Sequence, residues 1–191
     1  MSARVPRVLS IAGTDPTGGA GIQADLKSIG ALGGYGMAVV TALVAQNTLG
    51  VREVHVPSAE FLRAQLDAVS DDVHIDAVKL GMLHSSPLIE VVSAWLDEVR
   101  PAVVVLDPVM VSTSGHRLLD AEAERSMRAL CSWVDLVTPN IPELAVLVDA
   151  EPATTWIEAL GQAQLLASSS SVTVLLKGGH LDGQDCPDAI V

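Results

Sequence analysis

Polar residues that directly follow apolar runs are where this 191-residue sequence offers chemistry. The run Arg7 to Ala12 gives way to Gly13-Thr14-Asp15-Pro16-Thr17-Gly18-Gly19-Ala20-Gly21, ahead of a helical stretch. Glycines there let the backbone approach a ligand, and a helix start presents free amides. The spacing fails the dinucleotide fingerprint, and no Gly-Lys-Ser/Thr follows as a P-loop requires, so a turn and a substrate-binding loop both stand. Asp25, one turn into the helix, is either an acid favoured near a helix start or a partner for a polar substrate.

Gln46 ends the apolar run Val39 to Ala45. Its amide offers an acceptor and two donors, which suits a heterocycle edge bearing a ring nitrogen and an amino group; a loop cap is the other reading. Met82, after Lys79-Leu80-Gly81, is either a core gap-filler or a thioether packed on an aromatic ring. Asp107, in Asp107-Pro108-Val109-Met110, follows the most apolar run of the chain and is a turn former or an oxygen ligand for a magnesium-phosphate site. In Thr138-Pro139-Asn140-Ile141-Pro142-Glu143, Asn140 either caps a helix beginning near Pro142 or joins Glu143 beside the same metal and phosphates. Lys177, followed by Gly178 and Gly179, places a point charge where backbone can come close to a phosphate, or snorkels at the surface. His180 reads as a structural residue, and His55, His74, His84 and His116 share no metal-binding spacing.

The elements that must position these residues are legible as short β-branched runs at Arg7 to Ala12, Met37 to Ala45, Val51 to Val56, Ala77 to Gly81, Ala102 to Asp107, Val134 to Thr138 and Val172 to Leu176. Helical periodicity separates several of them, as in Leu62, Leu66 and Val69, and then Leu88, Val92, Trp95 and Val99. Pro57-Ser58, Ser86-Pro87 and the Thr155/Glu158 spacing are helix-start signals. Strands as apolar as Val103-Val104-Val105-Leu106 predict a mainly parallel sheet covered on both faces, a three-layer α/β domain with ligands beyond the carboxyl ends of the strands. Ser168 to Ser171 is expected as a solvated helix-to-strand loop, and no repeat or linker divides residues 1–191.

Composition narrows the function. Apolar residues make up 49% and aromatics only 3%, so the core must be Ala, Val, Leu and Ile. A formal net charge of −12 argues against a nucleic-acid surface, whose binding depends on Lys and Arg. No signal-peptide pattern and no apolar run of about 18 residues occur, giving the expectation of a cytoplasmic, non-membrane protein. Cys131 and Cys186 read as two reduced thiols. Low charge density also admits a homodimer.

Taken in order, the block Ala12 to Asp25, the block Thr41 to Thr48, Lys79-Leu80-Gly81-Met82-Leu83, Asp107-Pro108-Val109-Met110, Thr138 to Glu143 and Lys177-Gly178-Gly179-His180 resemble the hydroxymethylpyrimidine/phosphomethylpyrimidine kinases of thiamine biosynthesis. The resemblance implies a ribokinase-like sandwich and transfer of the ATP γ-phosphoryl group to 4-amino-5-hydroxymethyl-2-methylpyrimidine and then to its monophosphate. It also implies that Gly13, Asp25, Gln46, Met82 and Val109 line the pyrimidine pocket. Asp107 and Glu143 would organise Mg2+, while Asn140, Lys177 and Gly178 would lie near the nucleotide phosphates.

The family's later Gly-Thr-Gly-Cys or Gly-Thr-Gly-Asp segment does not occur in these 191 residues, so no base is assigned. The expectation is a domain truncated at its carboxyl end, with little or no activity for residues 1–191 alone. Two other readings remain: a pyridoxal/pyridoxine kinase of the same fold, and a non-catalytic pyrimidine-binding module.

Overall fold

The computed structural model describes residues 4–110, 121–179 and 186–191. Its elements run β1 (Arg7–Gly13), α1 (Gly21–Ala31), β2 (Tyr35–Asn47), β3 (Gly50–His55), α2 (Ala59–Ser70), β4 (Ala77–Leu80), α3 (Ser86–Val99), β5 (Val104–Leu106), α4 (Ala121–Leu130), β6 (Leu136–Val137), α5 (Ile141–Leu147), α6 (Trp156–Ser170), β7 (Thr173–Lys177) and β8 (Asp188–Ile190). The strands form one sheet in the order β3-β2-β1-β4-β5-β6-β7-β8. Pairing is parallel except at the two edges, where β3 runs against β2 and β8 against β7.

Period-two alternation assigns the faces. Leu9, Ile11, Val78, Leu80, Val104 and Leu106 point into the main core with Leu62, Leu66 and the fully buried Trp95. Helices α2 to α6 pack successively on one another over that side. The opposite side meets α1, which packs on β1 and β2. These are the three expected layers. Because α1 lies over β1 and β2, Val103, Leu136 and Leu175, on that same side of β5 to β7, keep partial exposure among the described residues.

Helix starts follow their signals. The Ser58 hydroxyl accepts from Phe61 N at 3.2 Å, Pro87 occupies the first turn of α3, and Thr155 with Glu158 forms a complete capping box on α6. Two expectations change. Ser168 to Ser170 continue α6, and the chain leaves only at Ser171, which takes the left-handed conformation at φ 54°. The serines extend the helix because the packed turn before them, with Leu166 buried, carries it on. The eighth strand, β8, was not among the apolar runs, since only Ala189 and Ile190 mark it. Cys131 is buried, with its thiol pushed up to about 12 by desolvation, and Cys186 is exposed; both are free.

Candidate active site

The chain leaves β1 toward β2 and later returns to β4 on the other side of β1. Loops diverging from the carboxyl ends of β1 and β4 therefore open a crevice at a topological switch point. A cavity of about 290 Å³ fills it. Gly13, Asp25, Gln46, Met82 and Val109 all line this cavity, and so does Asp107.

Two irregularities in the sheet shape the walls. Gly13 pairs with Ala42 whereas Ala12 pairs with Val40, leaving Thr41 as an extra residue on β2. Thr41 is wholly buried and its hydroxyl donates to the Met82 carbonyl at 2.5 Å, tying β2 to the chain leaving β4. The second bulge lies between β2 and β3, where Ala45 pairs with Glu53 but Gln46 with Val51. The unpaired Arg52 breaks alternation, so Val51 and Val54 both face the cavity although an odd number apart. Gly13 has a packing reason as well, since a Cβ there would stand 2.5 Å from the Met82 methyl.

Several residues of the site had not been singled out for a role. Asp15 is 4% exposed. Its carboxylate accepts from Thr17 N at 2.9 Å, the Thr17 hydroxyl at 2.9 Å, Gly19 N at 3.0 Å and Ala20 N at 2.8 Å, and Gln46 lines the same cavity. Burial alone would raise its pKa, but the Gln46 side chain and these donors outweigh it and hold it at about 2. Lys79, on β4, donates to Asp25 Oδ2 at 2.9 Å, and the Ser10 hydroxyl donates to the same oxygen at 2.6 Å. Asp25 Oδ1 keeps its acceptor capacity among the described residues. Spacing could not reveal either network, because Lys79 and Asp25 are 54 residues apart in the chain.

Beyond Asp107 lies a second polar cluster. Lys177 Nζ donates to Asp107 Oδ1 at 2.9 Å, and the Thr138 hydroxyl donates to it at 3.2 Å. Asn140 caps α5 by accepting from Glu143 N at 2.9 Å, and Glu143 returns the bond to Asn140 N at 2.9 Å. The cap and the cluster coexist: Asn140 bridges to Lys177 across the sheet edge, and Glu143 is close enough to feel both Lys177 and Asp107. Burial raises the Glu143 pKa above the ordinary carboxylate value and Asp107 adds to it, against the N–H groups of Asn140 and Met110 and the charge of Lys177. Gly178 is demanded by packing, since a Cβ would stand 2.1 Å from the Pro187 carbonyl. His116 and His180 lie outside the described residues. Among the described residues no three His, Cys, Asp or Glu side chains gather as a metal cage.

The cavity thus lies beside a cation-bearing, oxygen-rich strand edge, and comparison with known proteins adds the family. The family model described as phosphomethylpyrimidine kinase matches residues 15–191. The chain belongs to the phosphomethylpyrimidine kinase family. It is 60% identical over 190 residues to the thiamine biosynthesis multifunctional protein ThiED of Corynebacterium glutamicum, spanning all of this chain but only 25% of that protein. It is 50% identical over 181 residues to the hydroxymethylpyrimidine/phosphomethylpyrimidine kinase of Escherichia coli, covering 94% of this chain and 68% of that one. The phosphomethylpyrimidine kinase structure from Clostridium difficile superposes with a TM-score of 0.89 at 39% identity, over 97% of this chain and 80% of that one. A Bacillus subtilis pyridoxal kinase in complex with ADP also gives 0.89, at 30% identity, over 98% and 72%. No helix among the described residues of this family member is long and apolar enough to cross a membrane.

Proposed function

We propose that this chain supplies the alcohol site and part of the phosphate site of an ATP-dependent kinase acting on 4-amino-5-hydroxymethyl-2-methylpyrimidine and then on its monophosphate, in thiamine biosynthesis. The observation that carries the reading is the convergence of Gly13, Asp25, Gln46, Met82 and Val109 on one cavity, with Asp107 shared between that cavity and Lys177. Gln46 and the free Oδ1 of Asp25 offer hydrogen bonds to the ring edge. The Met82 thioether packs on the ring.

Asp107 and Glu143 fit a Mg2+ ion that takes most of its ligands from water and phosphate, because Asp107 Oδ2 has no partner among the described residues and two carboxylates suffice for such a site. The ion would neutralise charge on the transferred phosphoryl group. Lys177 adds a fixed positive charge beside it, with Asn140 and the Gly178 backbone adjacent. Lys79 and Ser10 hold Asp25 in place, and Asp15 closes the Gly13 to Gly21 loop over the ring, excluding water. Catalysis on this reading rests on positioning and charge neutralisation. We place the enzyme in the cytoplasm, in keeping with its free thiols, and admit a homodimer.

A pyridoxal kinase is the second reading, favoured by the Bacillus subtilis neighbour. The higher identities to pyrimidine kinases favour the first. Calorimetric binding of both alcohols to the purified protein decides between them: the reading expects the pyrimidine to bind more tightly, and tighter binding of pyridoxal overturns it.

A further inference from the structure

Met82 reaches the cavity from a stretch without regular structure, between the end of β4 and the start of α3. In the same stretch His84 takes φ 70°, a left-handed conformation that strains a residue with a Cβ and persists only where its surroundings hold it. Among the described residues the Met82 carbonyl has a single hydrogen-bond donor, the Thr41 hydroxyl at 2.5 Å. Thr41 is the extra residue of the β2 bulge and is wholly buried.

The strand that carries Thr41 is clamped on either side of it. Gln65 of α2 brackets Val40, accepting from its N–H and donating to its carbonyl, each at 3.1 Å. Thr14 N donates to Ala42 O at 2.9 Å. A fixed point on β2 thus reaches past the end of β1 to a chain that has already left the sheet. The Met82 methyl in turn lies against Gly13, where no Cβ would fit.

We propose that Thr41 is a positioning residue whose hydroxyl holds the Met82 main chain, so that the thioether stands in place before the ring arrives. The inference rests on the pyrimidine reading above and deepens it. A side chain ordered beforehand loses less freedom on binding, and the difference appears as affinity. Valine at this position keeps the β-branched shape but removes the donor and leaves a buried carbonyl unpaired. The strained turn at His84 can then relax and carry Met82 with it.

The test is calorimetric titration of 4-amino-5-hydroxymethyl-2-methylpyrimidine into wild-type protein, Thr41→Val, Thr41→Ser and Val92→Ala, with methyl spectra of isotope-labelled methionine. Thr41→Val is expected to bind about tenfold more weakly than wild type, the worth of one hydrogen bond, with its Met82 methyl averaged over rotamers. Thr41→Ser keeps the hydroxyl and should restore most of the affinity. Val92, wholly buried in α3, controls for stability: its truncation leaves a cavity in the core and should bind the ring as wild type does.

Equal affinity of folded Thr41→Val and wild type overturns the proposal, as does an equal loss in Val92→Ala. Should Thr41→Val not fold, relaxation of the wild-type Met82 methyl decides. It should be as ordered without the ring as with it, and a methyl that becomes ordered only when the ring binds overturns the proposal. A wild type that does not bind the pyrimidine overturns the pyrimidine reading instead, and this inference with it.

Discussion

Lys177 and Asp107 meet at 2.9 Å across 70 residues of chain, at the ends of β7 and β5. Their side chains are 40% and 31% exposed. A pair so open to solvent contributes little to stability, under about 1 kcal/mol. Its place beside the cavity gives it a different use, as charge held ready for phosphate. Lys177→Met should therefore leave the urea midpoint nearly unchanged while raising the KM for ATP roughly tenfold or more, the worth of a hydrogen bond to a charged group.

Glu143 separates stability from activity in another way. Its pKa is raised by burial, so between the ordinary value of 4.5 and the higher folded value the native state binds more protons than the unfolded one. Stability should rise as pH falls through that window. Glu143→Gln keeps an oxygen for the Asn140 N–H and hence the capping box, while removing the buried charge. We expect unfolding free energy equal to or above wild type, a loss of that pH slope, and turnover reduced by at least about tenfold if the carboxylate holds Mg2+. Urea titrations across pH and single-substrate kinetics check both halves.

Asp15 carries the opposite sign. Its pKa is lowered from 3.8 to about 2, so the stability that its ionised form contributes is fully present above 3.8 and lost as pH falls toward about 2. The shift corresponds to about 2 kcal/mol. The unfolding free energies of wild type and Asp15→Asn should differ by an amount of that order near neutral pH, and the gap should narrow in the acid range.

Two glycines of α1 make a paired prediction. Gly21 has φ +55°, and a Cβ there would lie 2.4 Å from the Gly13 carbonyl oxygen. Gly21→Ala should destabilise by about 2 kcal/mol or more and weaken pyrimidine binding through the displaced Gly13. Among the described residues nothing lies within 4 Å of where a Cβ on Gly30, in the same helix, would stand. Gly30→Ala should stabilise by about 0.5–1 kcal/mol, leaving binding unchanged. Thermal melts of the two variants read the contrast.

Legibility in the sequence followed the range of the interaction. Local signals located the capping boxes at Asn140/Glu143 and Thr155/Glu158 and the apolar runs of β1 to β7, since neighbours in the chain determine them. The residues lining the cavity were readable as strand ends plus a family resemblance. Hidden were relationships that need the third dimension: Lys79 with Asp25, the loop donors gathered on the buried Asp15 carboxylate, and Gln65 of α2, whose amide bonds Val40 N and O at 3.1 Å beside the Thr41 bulge. The Arg52 bulge was invisible for a related reason. Val51 to His55 alternates acceptably as a plain strand, and only its pairing with β2 shows the extra residue.

The most direct test of the central claim is a crystal structure of the protein with 4-amino-5-hydroxymethyl-2-methylpyrimidine. The account predicts the ring in the cavity between β1, β2 and β4, with its amino group within hydrogen-bond distance of Gln46 Oε1, Met82 against its face and its hydroxymethyl oxygen toward Asp107. A ring bound outside that cavity, or inside it with no contact to Gln46, would contradict the account.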